Sequence, residues 1–157
     1  MNLYNEFFAL ISYLNKLGAK YAVVGGVAMA FHGRARFTRD VDILLHPDDL
    51  RLARLALDRL GYRETAEPWI FRNTNLTLHR FLKADGEDEM MMDILLANAP
   101  EHQKIIADAV SAKADNGAVK VASKAGLIAL KRVRNSDQDQ VDIKGLEEDD
   151  KNRKERA

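Results

Sequence analysis

Residues 21–45, YAVVGGVAMAFHGRARFTRDVDILL, carry the pattern on which the fold turns. Tyr21-Ala22-Val23-Val24 is a run of aromatic and β-branched residues suited to a buried strand. Gly25-Gly26 lets the backbone turn sharply and come close to a ligand. Val27 to His32 is too short for a stable isolated helix, yet apolar enough to pack as one. Asp40-Val41-Asp42 then opens a second apolar run, Ile43-Leu44-Leu45, and the period of two along a strand puts both carboxylates on one face. Two acids side by side repel each other, so a positive charge belongs between them. A divalent cation with oxygen ligands is the simplest candidate.

The remaining chain supports this segment. Leu3, Phe7, Leu10, Ile11, Leu14 and Leu17 recur at three and four, which predicts an amphipathic helix ended by Gly18. His46-Pro47-Asp48-Asp49 reads as a helix start, continued by Leu50, Leu52, Leu55, Leu57 and Leu60 to Gly61. Tyr62 to Arg72 is irregular, with a strand at Trp69–Arg72 and a turn at Asn73-Thr74-Asn75. Leu76–Leu82 alternates as a strand with one face in the core, Asp85–Glu89 reads as an exposed turn, and Met90–Leu96 pairs back as a hairpin. Asp93 then lies in an otherwise apolar strand, and burying a lone carboxylate is costly unless a charge offsets it. That cost is a reason to bring it to the same cation as Asp40 and Asp42. Pro100 starts a helix through about Ala112, Asn116-Gly117 turns into a short strand at Val119–Val121, and Ser123 caps a helix over Lys124–Arg134. Asp137 begins a last helix to about Leu146, and the charged run 147–157 reads as a frayed, disordered tail.

With 157 residues, 46% of them hydrophobic, the chain suits one domain, over residues 1–146, ahead of that tail. It has no cysteine, so disulfides and thiolate zinc sites are excluded and a reducing compartment fits. No signal-peptide pattern opens the chain and no apolar run approaches membrane-spanning length, so the expectation is a cytoplasmic protein with no membrane partner. Basic and acidic residues number 24 each, so no global field draws the chain to nucleic acid. The low self-repulsion eases association as a homodimer or with a protein partner.

Gly25, Gly26, Asp40 and Asp42, with His32, Gly33, Arg36 and Thr38 between them, resemble the signature of the nucleotidyltransferase superfamily (the polymerase-beta-like fold). The branch is the one holding abortive-infection toxin-type and antibiotic-modifying enzymes. Gly126-Leu127-Ile128-Ala129-Leu130-Lys131, followed by Asp142, is similar to the later part of that pattern. The resemblance implies an α+β fold with a mixed, twisted sheet flanked by helices. It implies a magnesium site made by Asp40, Asp42 and Asp93, which serve as both metal ligands and catalytic groups, with Asp93 as a candidate base. Such a site can hold two Mg2+ ions about 3.5–4 Å apart for in-line displacement at phosphorus. Nucleotide-binding positions would be Gly25, Gly26, Arg36, Thr38, Lys131 and Asp142, with Arg34 and Arg39 as further phosphate donors in the arginine-rich turn. The backbone N–H groups of the glycine pair would face the triphosphate.

The function so implied is transfer of a nucleoside monophosphate from an NTP to a hydroxyl, with loss of pyrophosphate. The acceptor is open: tRNA, a protein side chain, or a small molecule such as an antibiotic. A toxin held by an antitoxin partner fits the same residues. The rival readings are bland or from other classes. The acids would be a solvated turn, Gly-Gly a plain tight turn, and Lys131 a surface lysine. A phosphatase or glycosyltransferase using Asp-x-Asp would leave the Gly-Gly strand unexplained. A catalytically inactive nucleotide-binding or antitoxin-like module would keep the fold without turnover. His32 and His79 read as packed or hydrogen-bonded side chains, and Met90 to Met92 as strand filling.

Overall fold

The computed structural model describes residues 1–35, 38–72, 74–114, 117–134 and 137–156. Helix α1 (Leu3–Leu17) starts at Asn2, whose side chain accepts from the Asn5 backbone N–H. It ends at Gly18, whose left-handed backbone (φ 71°) lets its N–H close on the last carbonyls. The apolar stripe Phe7, Leu10, Ile11 and Leu14 is buried, as its spacing requires. Strand β1 (Tyr21–Val24) passes straight into α2 (Gly25–Phe31), and β2 (Asp40–Leu45) returns antiparallel to β1. A 3-10 turn at Pro47–Asp49 leads into α3 (Leu50–Arg59).

Two short strands follow, β3 (Arg63–Glu64) and β4 (Trp69–Ile70), and then the long hairpin β5 (Leu76–Asp85) and β6 (Asp88–Ala97). Helix α4 (Pro100–Ala107), the hairpin β7 (Val110–Ala114) and β8 (Gly117–Val121), α5 (Lys124–Arg134) and α6 (Asp137–Arg156) complete the chain. The eight strands form one mixed, open sheet in the order β3-β5-β6-β2-β1-β8-β7, with β4 added to β5. The parallel pairs β2–β6 and β1–β8 lie between antiparallel ones. One sheet face, carrying Val41, Ile43, Met92 and Ile94 at 0% exposure, is part of the core that also takes in the apolar stripe of α1. The opposite register of β2 and β6 carries the acids.

Four elements differ from the sequence reading. The helix from Pro100 stops at Ala107 rather than about Ala112, and Val110–Ala114 is a strand paired with β8. Val110 is exposed, and ladder pairing outweighs the weak helical pattern of a β-branched segment. The hairpin strands run to Asp85 and from Asp88, so the exposed turn shrinks to Gly86-Glu87, with Gly86 at φ 65°. Strand β3 pairs with Leu82 and Phe81 in a segment that shows no period of its own. Helix α6 continues to Arg156, through the run read as a frayed tail, with an ion pair from Asp149 to Arg34 along it. Asn73 and Asn116, placed by the sequence reading in turns, lie outside the described residues.

Candidate active site

The end of β1 is where the backbone, the carboxylates and the phosphate-type donors converge. Val24 is the register partner of Asp42, and Gly25 follows it with φ 70°. A Cβ at Gly25 would lie 2.1 Å from Asp42 Oδ2, so glycine here makes room for a carboxylate of this chain. Gly26 has its own reason: a Cβ would come within 2.9 Å of Thr38 Cβ and Oγ1. The Thr38 hydroxyl in turn donates to the Asp40 carbonyl oxygen (3.1 Å), fixing the start of β2.

Strand β2 presents Asp40 and Asp42 on one face. Its parallel neighbour β6 sets Asp93 in register with Asp42. All three line one cleft with Gly26, Thr38, Arg39, Trp69, Phe71, Leu78, Arg80 and Leu95. Asp93 is 4% exposed. Its offsetting charge is Arg80, directly opposite on β5: Nε donates to Oδ1 at 2.9 Å and Nη2 to Oδ2 at 3.0 Å. The guanidinium carbon also sits 5.1 Å from the Trp69 ring centroid. Hydrogen bonding to Asp93 raises the Arg80 pKa above its ordinary value, with the charges of Asp40 and Asp42 adding to it.

The three aspartates expected to form a metal site thus share one cleft, with Arg80 already on Asp93. Among the described residues no three acidic or imidazole side chains are gathered so as to hold a metal ion as they stand. Arg80 takes both oxygens of Asp93. The donor chemistry still fits a hard divalent cation, since all three groups are carboxylates on one face of adjacent strands.

Asp40 is half-buried, and its pKa lies above the ordinary carboxylate value, first through burial and then through the charge of Asp93, against the pull of Arg80 and Arg39. The folded chain thus holds this proton to higher pH than the unfolded chain does. Stability falls as pH rises from the ordinary value of 3.8 through the raised one, and the loss persists above it. Without divalent cations, Asp40→Asn is expected to raise the thermal midpoint at pH 7 by about 1–2 °C, a small gain because solvent screens a half-buried group. The difference should vanish in melting curves recorded well below the ordinary carboxylate pKa.

Residues 4–156 match the model of a family described as nucleotidyl transferase of unknown function (DUF2204). The chain belongs to this family. It is a nucleotidyltransferase, as the family resemblance of Gly25, Gly26, Asp40 and Asp42 implied. No relative among the curated proteins matches it in sequence. Solved structures share the fold at low identity. The antibiotic-resistance factor ANT(2'')-Ia, solved with adenylyl-2''-tobramycin, aligns with TM-score 0.58 and 16% identity over 90% of this chain and 85% of that one. The lincosamide antibiotic adenylyltransferase LnuA, lincomycin-bound, gives 0.57 and 14% over 91% and 95%. A Thermotoga maritima protein assigned to the nucleotidyltransferases gives 0.63 and 11% over 92% of both chains.

A second, mostly apolar cleft adjoins the carboxylates of this nucleotidyltransferase. Val24, Gly25, Asp42, Phe71, Leu76 and Leu95 form the sheet side, and Leu127, Leu130, Lys131 and Val133 of α5 the other. The Ser123 hydroxyl accepts from the Gly126 N–H (3.0 Å), capping α5 as its sequence predicts. Lys131, read as a phosphate donor or a surface lysine, is 4% exposed. It donates to Asp142 at 3.0 Å, with Asp139 at 3.7 Å. Asp139, at 0% exposure, is a member of this cluster that the sequence pattern did not suggest.

The arginine-rich turn divides. Arg34 is committed to α6, donating to Asp149 at 2.7 and 3.1 Å, and a Cβ at Gly145 would come within 2.7 Å of its guanidinium carbon. Arg39 lines the carboxylate cleft, and Arg36 lies outside the described residues. His32 donates or shares its Nε2 with the Ala122 carbonyl oxygen (2.8 Å), and His79 pairs with Glu64 (2.6 Å), so both are hydrogen-bonded structural side chains.

Arg80 was missed because an arginine in an alternating strand looks like a solvated residue. Counting back five from Asp85 and forward five from Asp88 puts Arg80 opposite Asp93, once the turn is known to be two residues long. That turn length was the available signal.

Proposed function

We propose that this nucleotidyltransferase moves a nucleoside monophosphate from an NTP to a hydroxyl of a small acceptor molecule. Asp40, Asp42 and Asp93 would hold a pair of magnesium ions. The observation that carries this reading is the in-register placement of Asp42 and Asp93 on adjacent strands, beside a glycine whose missing side chain leaves room for the Asp42 carboxylate. Bound there, magnesium would ease ionisation of the attacking hydroxyl and neutralise charge on the leaving pyrophosphate.

The chain's own residues do the rest of the work in this proposal. Backbone N–H groups of Gly25 and Gly26 and the Lys131 ammonium, oriented by Asp142, face the triphosphate. The apolar cleft of Phe71, Leu127, Leu130 and Val133 takes the base and excludes water. Asp93 receives the proton of the acceptor hydroxyl. The acceptor's hydroxyl oxygen bonds to the α-phosphorus as the bond from that phosphorus to pyrophosphate breaks. The small-molecule acceptor is supported by the antibiotics in the ANT(2'')-Ia and LnuA structures, which span chains of similar extent.

The test is pyrophosphate release by the purified chain with Mg2+, each of the four NTPs, and parallel acceptors: hydroxyl-rich antibiotics, bulk tRNA and a protein extract. Release matched by labelling of a small molecule, and abolished by EDTA, is expected. Label entering tRNA or protein overturns the acceptor class and favours the toxin reading. Unaltered release in EDTA overturns the metal.

A further inference from the structure

We propose that Arg80 is the competing cation of this site: it occupies Asp93 until a divalent cation binds, and so sets the metal affinity of the nucleotidyltransferase. This rests on the metal reading of Asp40, Asp42 and Asp93 given above. The guanidinium fork engages both oxygens of a carboxylate that is 4% exposed. A cation using Asp93 either displaces one of these hydrogen bonds or takes the outer lone pairs of the same oxygens against the guanidinium charge at close range. Arginine cannot resolve the conflict by losing a proton. Moving off the carboxylate relieves it.

The surroundings give it somewhere to rest. Arg80 is bracketed between Asp93 and the face of Trp69, with Asp40 and Asp42 acting on it as further negative charges. Losing the fork shifts the guanidinium over the Trp69 ring while Asp40 and Asp42 still act on it, so the exchange need not expose an uncompensated charge. A surface arginine of the same cleft, Arg39, supplies positive charge near Asp40 without standing opposite Asp93. It separates occupancy of Asp93 from general electrostatics.

Trp69 is the sole tryptophan of the chain, so its emission reports on the stacked guanidinium. Free Mn2+ would be counted by electron paramagnetic resonance over the full-length, nucleotide-free protein. Arg80→Gln is expected to bind Mn2+ about tenfold more tightly than wild type, the scale of a charge-assisted hydrogen bond. Arg39→Gln should gain less than about threefold, as a screened charge does. Arg80→Lys, which keeps the charge and loses the fork, should fall between, and it carries the test if Arg80→Gln does not fold. Mg2+ should shift the Trp69 emission of wild type and leave that of Arg80→Gln unmoved. A gain in Arg80→Gln no larger than that in Arg39→Gln, or wild-type emission indifferent to saturating Mg2+, overturns the proposal. If Asp42→Asn leaves Mn2+ affinity at the wild-type value, it is the underlying metal reading that fails.

Discussion

Asp42→Asn is expected to lower pyrophosphate release by about a hundred- to a thousandfold, the scale seen when one preorganised electrostatic group leaves an active site. The thermal midpoint should stay within about 2 °C of wild type, since the replacement is isosteric and half-buried. Asp42 is central because it lines both clefts, in register with Asp93 across β6 and with Val24 across β1. Gly25→Ala should reach the same activity loss by another route. The new methyl would stand 2.1 Å from Asp42 Oδ2 and 2.9 Å from its Cβ and Cγ, so the carboxylate has to leave its position. Alanine at φ 70° adds backbone strain of about 1–2 kcal/mol, which lowers the melting point as well. Because both changes act through one carboxylate, the double variant should transfer no more slowly than the slower single variant. Multiplying losses would show that the alanine also moves the Gly25 N–H away from the triphosphate, independently of Asp42.

Lys131→Ala carries the largest expected effect on stability. Lys131, Asp139 and Asp142 are 4%, 0% and 5% exposed, and they join α5 to α6. Removing the cation leaves two carboxylates buried without it, a loss of about 3–5 kcal/mol. For a chain of this size that is a fall in melting temperature of about 10 °C. Lys131→Met combined with Asp139→Asn and Asp142→Asn should recover much of the loss, because most of it comes from stranded charge rather than from missing attraction. Differential scanning calorimetry of the variants reads this directly. A single variant that melts like wild type would show that the cluster adds nothing to folding. Transfer activity should fall in both lysine variants if Lys131 also meets phosphate, and only in proportion to unfolding if it does not.

Much of the fold was legible because local chemistry and tertiary structure agreed. The stripe of α1, the strand before Gly25, the alternation of Leu76–Leu82 and the Ser123 cap all reappear where their spacing predicts them. Where pairing decides, the pattern was silent or misleading: β3 has two residues and no period, and β7 was read as helix. The same division runs through the site. Asp40 and Asp42 share a face by strand geometry alone, whereas Arg34, one of three arginines in a single turn, is taken by α6 through a contact 115 residues away.

From its residues in order, this chain determines two buried strands joined at a glycine pair, with acids at alternate positions of the second. Strand period and the conformational freedom of glycine are local properties. Tertiary structure alone decided that Arg80 already holds the Asp93 which the sequence assigned to those acids, and that Lys131 is buried between two aspartates. Each of these depends on which strands and helices become neighbours, and that choice is made by burial of the whole apolar sheet face rather than by any short stretch of sequence.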